Sequence, residues 1–167
     1  MASASSLDSL PKATGGDLIK VQLDVSSTSS IHQAVQTLES EHHIKSIDIV
    51  IANAGIAGIL PDLAEATAQD IQPCIDINAY GQLELYKAVA PLLRASQQKK
   101  GRFVYMSSAG GSLSTMNNIV QLSSYGASKA LGNFLFKWLA LDNKGEVLIW
   151  SQHPGCVHGK SVPLKIH

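Results

Sequence analysis

Residues 47–52 read IDIVIA, an almost unbroken β-branched run. A strand that is apolar at nearly every position is expected to be buried on both faces, as in parallel sheets covered by helices. The rest of the chain alternates around it. Residues 18–25 (LIKVQLDV) form a shorter β-type run. Ser30 then offers an N-cap to a helix whose apolar stripe is Ile31, Ala34, Val35 and Leu38. A helical pattern runs from about residue 67 to 94 through Ile71, Ile75, Leu85, Val89 and Leu92, with Pro73 marking an early turn and Pro91 a late kink. Residues 102–107 (RFVYMS) read as a strand. Residues 123–142 read as a helix with Leu131, Leu135, Trp138 and Leu139 on one side, and 146–152 (EVLIWSQ) as a last strand. Strands alternating with helices predict right-handed βαβ crossovers and an α/β fold with a parallel sheet.

At 167 residues the chain amounts to about one domain. Residues 1–17, rich in Ser, Ala and Gly, read as a flexible segment, 18–157 as the folded body and 158–167 as a tail. Hydrophobic residues make up 45% and charged residues 16%, a balance that excludes a charge-solvated disordered chain. Lys plus Arg and Asp plus Glu are 13 each. No basic excess exists to neutralise phosphates, so nucleic acid is not an expected partner. Two cysteines, Cys74 and Cys156, form no CxxC pair and read as reduced thiols of a cytoplasmic protein. No membrane span is expected, because the most apolar stretch, 47–60, is too short and holds Asp48 and Asn53.

Ligands of open parallel sheets bind beyond the carboxyl ends of the strands. That directs attention to Asp24, to 53–55, to 107–111 and to 153–157. The sharpest local pattern is Tyr125-Gly-Ala-Ser-Lys129, which places a phenol and an ammonium four apart on one helical face. A nearby ammonium favours the phenolate, so Tyr125 could exchange a proton with a carbonyl or alcohol oxygen. Upstream, Ser107-Ser108-Ala-Gly-Gly111 follows a strand and offers a hydroxyl that could polarise the same oxygen. Asn53-Ala54-Gly55 follows another strand, and its glycine permits close backbone approach to a ligand. Asn78 sits in an otherwise apolar helical stretch, unfavourable unless its side chain has a partner.

Taken in order, LDV (23–25), NAG (53–55), INAYG (77–81), SSAGG (107–111), YGASK (125–129) and HPG (153–155) resemble the short-chain dehydrogenase/reductase family. Finer texture, such as IANAGI and YGASKAL, is similar to its carbonyl-reductase-like branch rich in fungal ketoreductases. The resemblance implies a Rossmann-like, doubly wound parallel sheet and an NADP(H)-dependent reductase of a ketone or aldehyde, or the reverse alcohol oxidation, with NAD as an alternative cofactor. Tyr125 would be the acid/base. Lys129 would tune it and hold the nicotinamide ribose. Ser108 would orient the substrate carbonyl, and Asn78 would hold a water linking Lys129 to solvent. Asp24 and Val25 would meet the adenine, Asn53, Ala54 and Gly55 the ribose side, and Pro154 and Gly155 the nicotinamide. The hydride belongs to the cofactor. Partners would be a small carbonyl or alcohol substrate and a second copy, in a homodimer or tetramer built through helices 67–94 and 123–142.

Ser108 lies 17 residues before Tyr125 and Ser112 lies 13 before it. Ser108 is favoured by its place at a strand end, with Ser112 the alternative and 116–121 then an inserted loop. The family's first strand and glycine-rich phosphate turn find no counterpart, since no strand leads into Thr14-Gly15-Gly16 and no helix directly follows it. Gly159 stands where a cofactor-contacting threonine is usual. The fold is therefore expected to be incomplete, lacking its first βαβ unit and its C-terminal strand. Gly159-Lys160-Ser161 lacks the earlier glycine and following helix of a P-loop. His42, His43, His153 and His158 suggest no metal site, and Trp138 and Trp150 read as core or interface aromatics. Two further readings stand beside the enzyme: a non-catalytic paralogue acting through dimerisation, and a piece that does not fold alone.

Overall fold

The computed structural model describes residues 11, 12, 14–58, 63–116 and 123–155. Within them, three parallel strands and four α-helices form an α/β unit: α1 (Thr28–Ser40), β1 (Ile49–Ala52), α2 (Ala68–Ile75), α3 (Gly81–Arg94), β2 (Gly101–Met106), α4 (Ser123–Asp142) and β3 (Val147–Gln152). The sheet order is β1-β2-β3. Ile51 pairs with Val104, and Val104 with Trp150. Because all three strands run the same way, their carboxyl ends share one edge of the sheet.

Alternation along each strand and this register divide the sheet into two faces. Val50, Ala52, Phe103, Tyr105 and Ile149 share one face, where they meet Ile31 and Val35 of α1, Leu85, Val89 and Leu93 of α3, and Phe136 of α4. Phe103 is at the centre: its ring meets Tyr86 edge-on at 5.2 Å and stacks on Phe136 at 5.3 Å. The opposite face carries Ile49, Ile51, Leu148 and Trp150, all exposed. Ile51 reaches 61% exposure. The expectation that 47–52 is buried on both faces is thus corrected: the described helices cover one face only. Val104 lies on the open face yet is buried, because Ile51 and Trp150 flank it in register.

Other boundaries move for identifiable reasons. Residues 18–24 form no strand, and Leu18, Ile19 and Leu23 are exposed. Strand character requires a ladder partner, and among the described residues no strand lies beside them. The cap of α1 is Ser27, whose hydroxyl accepts from the Ser30 N–H at 3.2 Å, while the Ser30 hydroxyl accepts from the Asp24 N–H at 3.0 Å. In the run Ser26-Ser27-Thr28-Ser29-Ser30 every residue can cap, so spacing alone does not choose. The long helical region is two helices joined by a π turn at Asp76–Tyr80, where the Gly81 N–H reaches back to the Asp76 carbonyl. Pro73 and Pro91 lie inside α2 and α3. The buried side of α4 is Ser124, Ser128, Lys129, Gly132 and Phe136, not the expected Leu131–Leu135–Trp138–Leu139 side. Small residues there bring the helix close to the sheet; Ser124 accepts from the Cys74 thiol at 3.8 Å, and Ser128 and Lys129 have partners described below. Cys74 is a buried free thiol, and His42 and His43 are exposed. Cys156, His158, the glycine–lysine–serine run at 159–161, the tail 158–167 and most of loop 116–121 lie outside the described residues.

The one-sided core predicts two contrasting substitutions. Phe103→Ala should cost about 3–5 kcal/mol, as aromatic truncation in a packed core does. Ile51→Thr, on the open face, should stay within about 0.5 kcal/mol. Urea titration followed by circular dichroism distinguishes them, and equal losses would show the open face to be covered in solution.

Candidate active site

The strand ends bring the expected segments to one edge. Asn53 to Ala57 leave β1 as an exposed loop, Ser107 and Ser108 follow β2, and His153, Pro154 and Gly155 follow β3 and are exposed. Gly155 takes φ 78, a left-handed conformation that suits glycine.

Asn78 knits the centre together. It is fully buried in the π turn. Its Oδ1 accepts from the Ile56 N–H at 2.8 Å, and its Nδ2 donates to the Ile56 carbonyl at 2.8 Å and to the Ser128 hydroxyl at 2.9 Å. Ser128 in turn donates to the Tyr125 carbonyl at 2.7 Å. One amide thereby links the loop after β1 to the first turn of α4. A side chain at position 55 would place its Cβ 2.9 Å from Asn78 Oδ1 and 3.7 Å from Lys129 Nζ, so glycine is required there by close approach.

Lys129 is 4% exposed. Its ammonium donates to the Met106 carbonyl at 2.6 Å and lies 5.1 Å from the centre of the Tyr105 ring and 5.6 Å from that of Tyr125. Burial lowers its pKa from the ordinary lysine value. Tyr105 is buried too, and burial pushes its phenol far above the usual range, with Tyr125 adding to the shift.

Ser108 stands at the strand end as expected. Its hydroxyl accepts from the Gly110 N–H at 3.2 Å and caps a 3₁₀ turn, Ala109–Gly111. The Ser112 hydroxyl shares a 3.2 Å hydrogen bond with Ser114. Both serines line a cleft of about 480 Å³, together with Ser107, Asn133, Trp150 and His153. Asp24 is exposed, and its carboxylate accepts from the hydroxyl and the N–H of Ser26, which hold its pKa down. Val25 beside it is buried. Among the described residues no group of three His, Cys, Asp or Glu side chains could hold a metal, and no helix is long and apolar enough to cross a membrane.

Four residues of this network escape the sequence reading. Ser128 is the third x of the Tyr-x-x-x-Lys pattern, and a serine one turn after Tyr125 is a signal for back-bonding to its carbonyl. Gln82 donates to the Ala54 carbonyl at 2.8 Å and the Ile77 carbonyl at 3.1 Å, and its buried Oε1 has no partner among the described residues. Asn133 accepts from the Ser107 hydroxyl at 2.6 Å and donates to the Gly111 carbonyl at 3.3 Å, bracing the serine turn from both sides. Tyr105 donates to the Asn78 carbonyl at 2.9 Å. As a β-type residue in a strand, it gives no sequence signal beyond core packing.

The depressed Lys129 pKa has a stability consequence. Between the folded value and 10.5, the unfolded chain binds more protons than the folded one. Stability from this group therefore rises with pH across that window, and the penalty is fully present below it. Lys129→Met removes the penalty, so the stability of the variant relative to wild type should fall as pH climbs from neutrality towards 10. Denaturant titrations at several pH values measure this, and a pH-independent difference would contradict it.

Comparison with known proteins agrees with this geometry. The family model described as short chain dehydrogenase matches residues 2–163. The chain is 58% identical over 153 residues to short chain dehydrogenase gsfK of Penicillium aethiopicum, covering 91% of this chain and 60% of that protein. It is 32% identical over 143 residues to norsolorinic acid ketoreductase nor1 of Dothistroma septosporum, covering 84% of this chain and 53% of that protein. The NADPH-bound carbonyl reductase from chicken fatty liver superposes with a TM-score of 0.79 at 25% identity, covering 90% of this chain and 61% of that one. The chain thus spans roughly three-fifths of the length of gsfK and of the avian reductase. With this match over nearly its whole length, and with Asn78, Lys129 and Tyr125 assembled at the strand ends, the chain belongs to the short-chain dehydrogenase family.

Proposed function

We propose that this chain carries the proton-transfer half of a nicotinamide-dependent carbonyl reduction, with Tyr125 giving a proton to a ketone or aldehyde oxygen, or taking one from the alcohol. The observation that carries this reading is the buried Lys129 ammonium between the rings of Tyr105 and Tyr125. Lys129 has no carboxylate partner among the described residues; such a buried cation lowers stability, and that cost is typical of functional sites. In this reading the Ser108 hydroxyl orients the substrate oxygen, with Ser112 the alternative donor; both line the same cleft, whose described lining includes neither Tyr125 nor Lys129. NADP is the favoured cofactor, as the avian neighbour holds NADPH, with NAD as the second choice.

The residues present fit one half of such a cofactor. Gly55 packs closely on the Asn78 amide beside Lys129 and is itself exposed, so a ribose would approach from its solvent side; Asn53, Ala54, Pro154 and Gly155 are exposed as well. Asp24 and Val25 are the expected adenine contacts, with Asp24 exposed. Among the described residues no glycine-rich turn joins a strand to a helix N-terminus to take the pyrophosphate. When bound, the nicotinamide supplies the hydride. The chain's own part is to orient the substrate oxygen through Ser108, to exchange a proton at the Tyr125 hydroxyl and to hold the ammonium of Lys129 beside that phenol. The norsolorinic acid relatives are ketoreductases by name, which favours a ketone substrate.

Titration with NADPH, followed through Trp138 and Trp150 fluorescence, should show saturable binding, with NADH weaker. Tyr125→Phe should leave that binding within about twofold and reduce turnover of an aromatic ketone by about 10²–10⁴-fold. A folded wild-type chain that binds neither nucleotide would sink the reading.

A second reading, association of two copies, rests on the outer face of α4. Phe134 and Trp138 stack at 6.0 Å and are 64% and 56% exposed, with exposed Leu141 continuing the stripe one turn on. Three large apolar side chains at i, i+4 and i+7 on a solvent face favour a helix-to-helix contact. In this reading a homodimer or tetramer forms through α4, and the family resemblance extends the contact to α2 and α3. Trp138→Glu should halve the mass seen by light scattering while circular dichroism stays unchanged, and an unaltered mass would exclude this face.

A further inference from the structure

The turn that carries Ser108 is held at both ends by one side chain of α4. Asn133 accepts from the Ser107 hydroxyl at 2.6 Å through its Oδ1 and donates to the Gly111 carbonyl at 3.3 Å through its Nδ2. Ser107 is buried, and its N–H is already committed to the Gln152 carbonyl of β3 at 2.9 Å. The residues between the two anchors, Ser108 to Gly110, therefore hang from a fixed strand end and a fixed helix. They also press on that helix. A Cβ at Gly126 would lie 2.6 Å from the Gly110 carbonyl oxygen, and one at Gly111 would lie 2.8 Å from the Cβ of Lys129. Positions 126, 129 and 133 fall on one stripe of α4, so the turn lies along the stripe that begins beside Tyr125. Glycine at 132 lets the helix come this near, since a Cβ there would strike the Tyr105 hydroxyl and the ring carbon bearing it. Glycine inside a helix is unfavourable, so the close approach is held against a cost. Asparagine is short and carries an acceptor and a donor on one planar group, which the Ser107 hydroxyl and the Gly111 carbonyl require together.

Within the turn, the Ser108 hydroxyl accepts from the Gly110 N–H at 3.2 Å, which leaves its own proton to donate outward. Ser112 lies beyond the second anchor, and its hydroxyl shares its hydrogen bond with Ser114. We propose that Asn133 is a positioning residue: it fixes the Ser108 hydroxyl relative to Tyr125 and Lys129 by tying the turn to the helix that bears them both. The proposal deepens the proton-transfer reading and rests on Ser108, Tyr125 and Lys129 being its working groups. Asn133 acts through Ser107 and Gly111. A loosened turn would leave the substrate oxygen with one oriented partner, Tyr125, in place of two.

The test is NMR of the whole chain, which needs neither cofactor nor turnover, followed by kinetics. In the wild type, side-chain couplings should place Ser108 in a single χ1 rotamer. Asn133→Ala should average that rotamer and speed exchange of the Gly110 N–H by about tenfold. Ser107→Ala removes one limb of the brace from the strand side and should average the rotamer too; it decides alone if Asn133→Ala does not fold. Asn143→Ala is the control. Asn143 donates to the Leu139 and Ala140 carbonyls and accepts from the Val147 N–H, so its loss costs stability just past the far end of α4 and should leave the Ser108 rotamer single. In turnover of an aromatic ketone, Asn133→Ala should lower kcat by about 10²-fold, with KM and NADPH binding within about twofold. A Ser108 side chain that samples several rotamers in the wild type would overturn the proposal. So would one that is unmoved in both brace variants, or averaged equally in Asn143→Ala. An unchanged kcat in Asn133→Ala would overturn it as well. Absence of turnover in the wild type would instead count against the proton-transfer reading, and the rotamer readout would still decide whether Asn133 holds Ser108.

Discussion

Everything at the strand-end edge hangs on the three hydrogen bonds of one buried amide. Asn78 holds both backbone groups of Ile56 and the hydroxyl of Ser128, so a loop, a π turn and a helix are fixed by a single side chain. Each bond is worth about 1 kcal/mol net, but an orphaned buried partner costs more than that, which makes the set nearly all-or-none. The amide is rigid and planar, with donors and an acceptor pointing opposite ways. A carboxylate or a hydroxyl at 78 could not serve the same three partners. Lys129 follows Ser128 directly on α4, and its ammonium meets the Met106 carbonyl close to the same junction.

Much of this arrangement was legible in the chain. The alternation of β-type and helical runs gave the element order from 28 onward, and helix 123–142 agrees with α4 to the residue. The motif residues Asn78 and Lys129, and the glycine at 55, meet in space as their order along the chain suggested. Burial was harder to read. Apolar pattern in IDIVIA reports what a strand is suited to, whereas Ile49 and Ile51 report what actually covers it. Likewise the Leu131–Trp138 side of α4 looked like the core side because it is apolar, while the true inner face is Ser124, Ser128, Lys129 and Gly132. Periodicity scores hydrophobicity, and here short polar side chains with committed partners took the interior. Residues 18–24 show the complementary limit: β propensity cannot supply a neighbour to pair with.

The open sheet face and the length comparison bear on each other. Ile49, Ile51, Leu148 and Trp150 lie bare on the side away from every described helix. The relatives are longer than the matched region, at 153 aligned residues covering 60% of gsfK. The Asn78–Lys129 centre, by contrast, is built from the covered face and the strand ends, and of the bare residues only Trp150 reaches the cleft beside Ser108. Its inner packing through Phe103, Tyr105 and Phe136 is continuous and does not draw on the bare side. Core and site therefore form one cooperative unit, while the exposed face adds hydrophobic surface that contributes solubility risk rather than geometry.

The fit between Tyr105 and Gly132 has a historical consequence. Because a methyl group at 132 would strike the phenol ring as well as its hydroxyl, the two positions cannot drift independently. A lineage carrying alanine at 132 could not acquire an aromatic ring at 105 without first giving up that methyl group. A lineage carrying the ring is in turn barred from the better helix former. The pair works as a ratchet: once tyrosine is installed, the helix keeps its glycine, and the order in which the two substitutions arose is constrained by sterics alone.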